Sequence, residues 1–288
     1  MVGRAGTLWV WSKLHFGSIC REEGHLGWIG EEKILTAAEM SLLVPTYEMN
    51  GSGMKMLRRA LSSVARQELD PSFSLEVVVS DHSLGDAIES LCADFAKGAW
   101  FTLTYQRNNV GRGSSSQNLN CAFNHSTGRI IKILFQDDFF VSDLALATVV
   151  SSFDDPGVSW AVVGFTHSED GVSFYGDRVP KYHKKIHHGK NTISSPSVLA
   201  VRRYCWIDFD QRLKWLMDVD LYKKLSEKHG PPKVISKTLV ANGIGAHQVS
   251  RTLISPARKM GEYVYVRFQH WRRKHAPKPS GHACRVSP

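Results

Sequence analysis

The sequence predicts an α/β fold with a mostly parallel central sheet and helices on both faces. Two observations lead there. From Met40 onward short apolar runs alternate with segments of helical spacing, and the run Leu75–Ser80 (LEVVVS) is apolar and β-branched almost throughout, as in a strand covered on both sides. Strands joined by helix-length crossovers pair in parallel with right-handed connections, and ligands gather at their carboxyl ends.

The elements follow in order. Ser41–Thr46 (SLLVPT) opens as a strand, and Met54–Gln67 places Leu57, Leu61, Val64 and Ala65 at helical spacing after a Gly51-Ser52-Gly53 turn. After LEVVVS, Asp86–Lys97 returns to helical spacing through Ile88, Leu91, Cys92 and Phe95. Phe101–Tyr105 reads as a strand, Ser114–His125 as a helix after Gly111-Arg112-Gly113, and Arg129–Phe135 (RIIKILF) as a fourth strand. Beyond Asp138 the pattern is mixed: a helix over Leu144–Phe153, strands at Trp160–Phe165, Val172–Tyr175 and Ser197–Val201, and a helix over Asp218–His229. This main domain is expected to span residues 40–250.

Residues 1–39 carry Trp9, Trp11 and Trp28 without either periodicity. They are expected to form a poorly ordered extension, with a short packing arm as the alternative. Residues 251–288 hold nine Lys or Arg against one acid, Glu262, so +8 of the net +9 charge lies there. A basic tail points to a local acidic partner or to solubility; no specific nucleic-acid binding is expected of the whole chain. Within it Met260, Val264, Phe268 and Trp271 recur at three- and four-residue spacing, predicting a helix over Met260–Lys274 with one apolar stripe beside Arg267, Arg272, Arg273 and Lys274. That helix could close on the domain, or touch an anionic membrane surface peripherally. Residues from Ala276 onward read as disordered. No apolar run reaches membrane-spanning length, no signal peptide is legible, and five scattered cysteines without a C-x-x-C pair favour a reducing compartment. The expected location is the cytoplasm, including the inner face of a membrane.

The chemistry concentrates at strand ends. Phe135-Gln136-Asp137-Asp138 puts two acids after an apolar strand, and adjacent carboxylates repel unless a cation or water separates them. A divalent ion bridging them to a diphosphate relieves that repulsion. Pro45-Thr46-Tyr47-Glu48 ends the first strand, Ser80-Asp81-His82-Ser83 the second, and Asn108-Asn109-Val110-Gly111 opens the third crossover, so all converge on one rim.

The series PTYE, VVVSDHSLGD and NNVGRGSSSQNLNCAFNHSTGRIIKILFQDD resembles the family-2 glycosyltransferases of GT-A fold, the nucleotide-diphospho-sugar transferase fold, over about residues 40–250. The resemblance implies a metal-assisted hexosyltransferase that takes sugar from a nucleotide-diphosphate donor, with inversion, to a saccharide, lipid-linked or protein acceptor. It implies that Pro45, Thr46 and Glu48 line the nucleotide pocket and that Asp81 contacts the base. Gly111 would allow close backbone approach, and Asn118 would sit among the donor contacts. Asp138 would hold Mn²⁺ or Mg²⁺, with Asp137 on ribose or metal, and His247 would be a further metal ligand. Leu216-Met217-Asp218-Val219-Asp220-Leu221 is similar to the family's acidic motif at a helix start, which makes Asp218 the candidate base and Asp220 the second choice. Thr192–Ser197 is similar to segments near the donor sugar. Gln136 and Met217 stand where the family usually has acids. The cluster His183-Lys184-Lys185-Ile186-His187-His188 is too rich in cations for a metal and suits a solvated loop that contacts phosphate or acceptor. The alternatives are a nucleotidyltransferase, for which Lys55 would have to serve the phosphates, and an inactive nucleotide-sugar-binding module.

Overall fold

The computed structural model describes residues 37–245 and 254–275. In chain order the elements are β1 (Met40–Thr46), α1 (Gly53–Ala65), β2 (Leu75–Asp81), α2 (Ala87–Ala96), β3 (Thr102–Arg107), α3 (Ser115–Asn124), β4 (Ile130–Ile133), β5 (Phe139–Phe140), α4 (Ala145–Ser151), β6 (Trp160–Ser168), β7 (Tyr175–Arg178), β8 (Leu199–Arg202), α5 (Met217–His229), β9 (Lys233–Gly243) and α6 (Pro256–His275). The strands form one sheet in the order β3-β2-β1-β4-β8-β6-β9-β5, with β7 beside β6.

The first half is the parallel sheet that the sequence predicts. Leu42 of β1 lies opposite Val77 of β2 and Lys132 of β4, and Val78 lies opposite Thr104 of β3. Every residue of β1 and β2 is buried, because helices cover both faces. The connections run outward from β1 to β2 and β3, then return across β1 to reach β4. With right-handed crossovers that reversal puts α3 on the face opposite α1 and α2. The crevice it opens, at the carboxyl ends of β1 and β4, is where a sheet of this kind binds its ligand.

The second half is mixed: β8 is antiparallel to β4 and β6, β9 is parallel to β6, and β5 is antiparallel to β9. One expectation moves here, and one strand was not foreseen. The strand expected at Val172–Tyr175 forms at Tyr175–Arg178 instead, as an exposed edge. The long strand β9 was not legible, because its first half is largely exposed and only Leu239–Gly243 is buried throughout. Trp160 anchors this half, its ring 6.2 Å from that of Tyr222 and its indole N–H donating to the Gly230 carbonyl at 2.9 Å.

Helix α6 is longer than expected and packs by a different face. Val266 is fully buried, and the buried Glu262 carboxylate accepts the backbone N–H groups of Lys214 (3.0 Å), Trp215 (2.8 Å) and Leu216 (3.0 Å) while pairing with Arg258 at 3.0 Å. The apolar stripe Met260, Val264, Phe268 and Trp271 stays in solvent. Helix α6 therefore closes on the domain through Glu262 and Val266 and not through the stripe. Among the described residues no helix is long and apolar enough to cross a membrane.

Candidate active site

The carboxyl ends of β1 and β4 open into two adjoining cavities. One, of about 220 Å³, is lined by Pro45, Thr46, Glu48, His82, Arg112, Asn118, Gln136 and Asp137 among others. The other, of about 310 Å³, is lined by Asp137, Asp138, His167, Ser195, Lys214, Trp215, Asp218, Asn242 and Gly243 among others. Tyr47, Met49, Ser115, Phe135 and Asp137 border both, so they form one continuous cleft.

The β1 end is held by side chains of α3 and β4. Asn118 donates to the carbonyls of Thr46 (3.1 Å) and Ser80 (2.9 Å), while its Oδ1 accepts the Ser80 hydroxyl at 2.6 Å. Gln136 explains its own departure from the expected acid. Its Oε1 accepts the Tyr47 N–H at 2.7 Å, and its Nε2 donates to the carbonyls of Tyr47 (3.0 Å) and Gly53 (3.1 Å). A carboxylate could make only the first of these bonds. Gln136→Glu is therefore expected to destabilise the fold by about 2–3 kcal/mol, since it turns a buried anion toward two carbonyls. Urea unfolding measures the loss.

Two predicted nucleotide contacts are placed behind the wall. Asp81 is 0% exposed, and its carboxylate accepts Thr46 Oγ1 (3.2 Å), the Ser83 N–H (2.9 Å) and the Tyr105 hydroxyl (2.9 Å). It lines neither cavity; its neighbour His82 does, with Nε2 3.0 Å from the Val110 carbonyl. Burial lowers the His82 pKa and favours the neutral ring. Gly111 also stands back from the cleft. Its φ of +65° and a Gln117 Cγ that a Cβ would meet at 2.6 Å account for glycine there by backbone geometry alone.

The acids after β4 differ in setting. Asp137 faces both cavities, and its carbonyl accepts Arg59 Nη2 at 2.7 Å. Asp138 is buried, its Oδ1 accepting the Gly243 N–H at 2.8 Å and its Oδ2 lying 3.1 Å from the Ser195 hydroxyl. Burial, and then the charge of Asp137, push its carboxyl up to about 7. Gly243 comes so close that a Cβ would collide with the Asp137 carbonyl oxygen. Beneath them Lys132 is fully buried, its ammonium donating to the carbonyls of Ile133 (2.8 Å) and Ser197, and burial pulls it down to about 7.

The third wall comes from α5 and the Thr192–Ser197 segment. Asp218 opens to the larger cavity, accepts Asn191 Nδ2 at 2.6 Å and the Val219 N–H at 2.7 Å, and is pushed up to about 7 chiefly by burial. Asp220 is directed elsewhere: it is buried on another side of α5, paired with Lys224 at 2.5 Å and with Arg273 of α6 at 3.8 Å. That placement turns Asp220, the second-choice base, away from the cleft that Asp218 faces, because two residues along a helix is more than half a turn. Ser194 holds a φ of +130°, strained for a residue with a side chain, and its hydroxyl accepts Asn242 Nδ2 at 2.7 Å. Ser195 and Pro196 beside it line the cavity. His247 lies outside the described residues. Lys55 is exposed and lines neither cavity. Arg112 and Lys214, cations that the motif reading passed over, line the smaller and the larger cavity.

Asp137 and Asp138 fit a divalent cation by their chemistry. Both are hard oxygen donors, and a carboxyl whose pKa is raised by burial and then by its neighbour's charge is one that a cation would relieve. Among the described residues no group of three His, Cys, Asp or Glu forms, so substrate oxygens and water would complete the shell.

The sequence model of glycosyl transferase family 2 matches residues 41–210. No curated protein matches the chain. Among solved structures, S. aureus TarS 1–349 in complex with UDP-GlcNAc superposes with a TM-score of 0.61 at 18% identity, covering 80% of this chain and 66% of that one. The mannosyltransferase PcManGT from Pyrobaculum calidifontis, in complex with GDP-Man and Mn²⁺, gives 0.59 at 18% identity over 85% and 67%. A longer S. aureus TarS chain gives 0.54 at 16% identity, and this chain covers 46% of it. At these identities the likeness is one of fold.

Proposed function

The chain belongs to glycosyl transferase family 2, and from that premise we propose that it moves a hexosyl group from a nucleotide-diphosphate sugar to an acceptor hydroxyl, with inversion at the anomeric carbon. One observation carries the reading: a single cleft at the sheet's crevice has Asp137 and Asp138 on one wall and Asp218 on another. The solved relatives in complex with UDP-GlcNAc and with GDP-Man and Mn²⁺ support a nucleotide-sugar donor and a divalent ion.

The smaller cavity takes the nucleoside, with Pro45, Thr46, Glu48 and Asn118 in its lining and His82 and Arg112 as its polar contacts. Asp81 acts through others, fixing Thr46 and Tyr105 behind the pocket. Asp137, shared by both cavities, marks where the diphosphate crosses, and Lys214 supplies a cation to it. Asp137 and Asp138 would hold Mn²⁺ or Mg²⁺, which when bound neutralises charge on the departing diphosphate. Asp218 takes the acceptor proton as the hydroxyl oxygen bonds to the anomeric carbon and the bond to the diphosphate breaks. A pKa near the working pH suits a general base.

A thermal-shift screen of UDP, GDP and dTDP with and without Mn²⁺ tests the donor site. One nucleotide is expected to raise the melting temperature, further with Mn²⁺, and saturation at about 100 times Kd corresponds to about 2.7 kcal/mol. Absence of any shift overturns the reading. Release of pyrophosphate instead of nucleoside diphosphate from a donor would mean nucleotidyl transfer.

A further inference from the structure

Helix α6 turns its most apolar side to solvent. Met260, Val264, Phe268 and Trp271 are 64%, 58%, 53% and 56% exposed, and their spacing aligns them in one stripe. The Phe268 and Trp271 rings stack at 6.2 Å, which makes the stripe continuous. Glu262 and Val266, about half a turn away, hold the opposite face against the protein. Arg267, Arg272 and Lys274 flank the stripe, and the only acid of the helix, Glu262, points inward.

An exposed apolar stripe of this length marks a contact surface. The charges select its occupant. A second copy would set Arg267, Arg272 and Lys274 against themselves with no acid to pair, whereas an anionic surface relieves those charges and covers the stripe together. A helix with a linear aromatic ridge, a basic rim and too little apolar character to span is one that lies in a headgroup layer.

We propose that α6 docks the protein on an anionic bilayer, with Phe268 and Trp271 among the headgroups and Arg267, Arg272 and Lys274 on lipid phosphates. Docking does not depend on the transferase reading, because its assay reads no turnover.

The full-length chain is sedimented with vesicles of phosphatidylcholine alone and of phosphatidylcholine mixed with phosphatidylglycerol, at low and high salt. Binding is expected only to the anionic vesicles and is lost at high salt. Phe268→Ser combined with Trp271→Ser is expected to weaken binding by about tenfold or more, with an unchanged circular dichroism spectrum and melting temperature. Arg267→Gln, Arg272→Gln and Lys274→Gln together are expected to remove the salt dependence along with most of the binding. Equal binding by the Phe268/Trp271 variant overturns the proposal, as does equal binding to the uncharged vesicles or none to the anionic ones. Concentration-dependent dimerisation that the Phe268/Trp271 variant abolishes also overturns it, in favour of a second copy on the stripe. A nucleoside-diphosphate thermal shift retained in both variants keeps the outcome separate from that of the donor site.

Discussion

Asp218→Asn is expected to lower the rate of sugar transfer by about 10²-fold or more while nucleoside diphosphate still binds with near-normal affinity. The side chain faces the cleft, and the variant has the same size but cannot accept a proton. The fold tolerates it at a small cost. The Asn191 amide cannot turn to suit the new NH₂, because its Oδ1 already accepts the Ile193 and Ser194 N–H groups, so one hydrogen bond worth about 1 kcal/mol is lost. The pH dependence is the sharper readout. Burial raises the carboxyl from 3.8 to about 7, so the wild-type rate should climb as pH rises through about 7, and that limb should vanish in the variant. Stability runs the other way. Between those two values the folded state binds more protons than the unfolded one, so this group's contribution falls as pH rises. Loss of nucleotide binding in place of rate would assign Asp218 to the donor.

Asp138→Asn is expected to abolish Mn²⁺-dependent turnover with the fold intact. An asparagine there can turn its carbonyl to the Gly243 N–H and its NH₂ to the Ser195 hydroxyl, so two of the three hydrogen bonds, the third being with Ser197, survive while the charge does not. Turnover in the presence of EDTA, measured on the wild type, is the companion experiment. Full activity there, or in the variant, removes the metal from the reading.

The parallel half of the sheet was legible because each of its strands is a run that alternation and β-branching define, and its motifs fall at strand ends that the architecture brings together. What the sequence withheld is direction. Asp81 and His82 are adjacent, yet only His82 lines the cleft; whether a strand's last side chain points into the pocket or behind it depends on where the ladder ends. Asp218 and Asp220 share a motif; Lys224, one turn on in the same helix, pairs with Asp220, and the docking of α6 adds Arg273 to it. Strand β9 escaped because Lys233–Thr238 is too polar to read as buried, although it brings Asn242 and Gly243 to the site. Arg112 lies in the Gly111-Arg112-Gly113 turn, where the glycines carry the signal, and Lys214 carries no pattern and is recruited by long-range packing.

Glu262 gives the reach of the site along the chain. Its carboxylate closes three backbone donors just ahead of the helix that carries Asp218, and its charge also contributes to the raised pKa of that group. A protein ending after β9 would retain all nine described strands, yet would present three bare N–H groups beside an Asp218 carboxyl whose pKa is raised less. A substitution at position 262 would therefore reach the backbone just ahead of Asp218, and an exchange of the carboxyl-terminal helix would have to carry this acid along to keep those three donors closed.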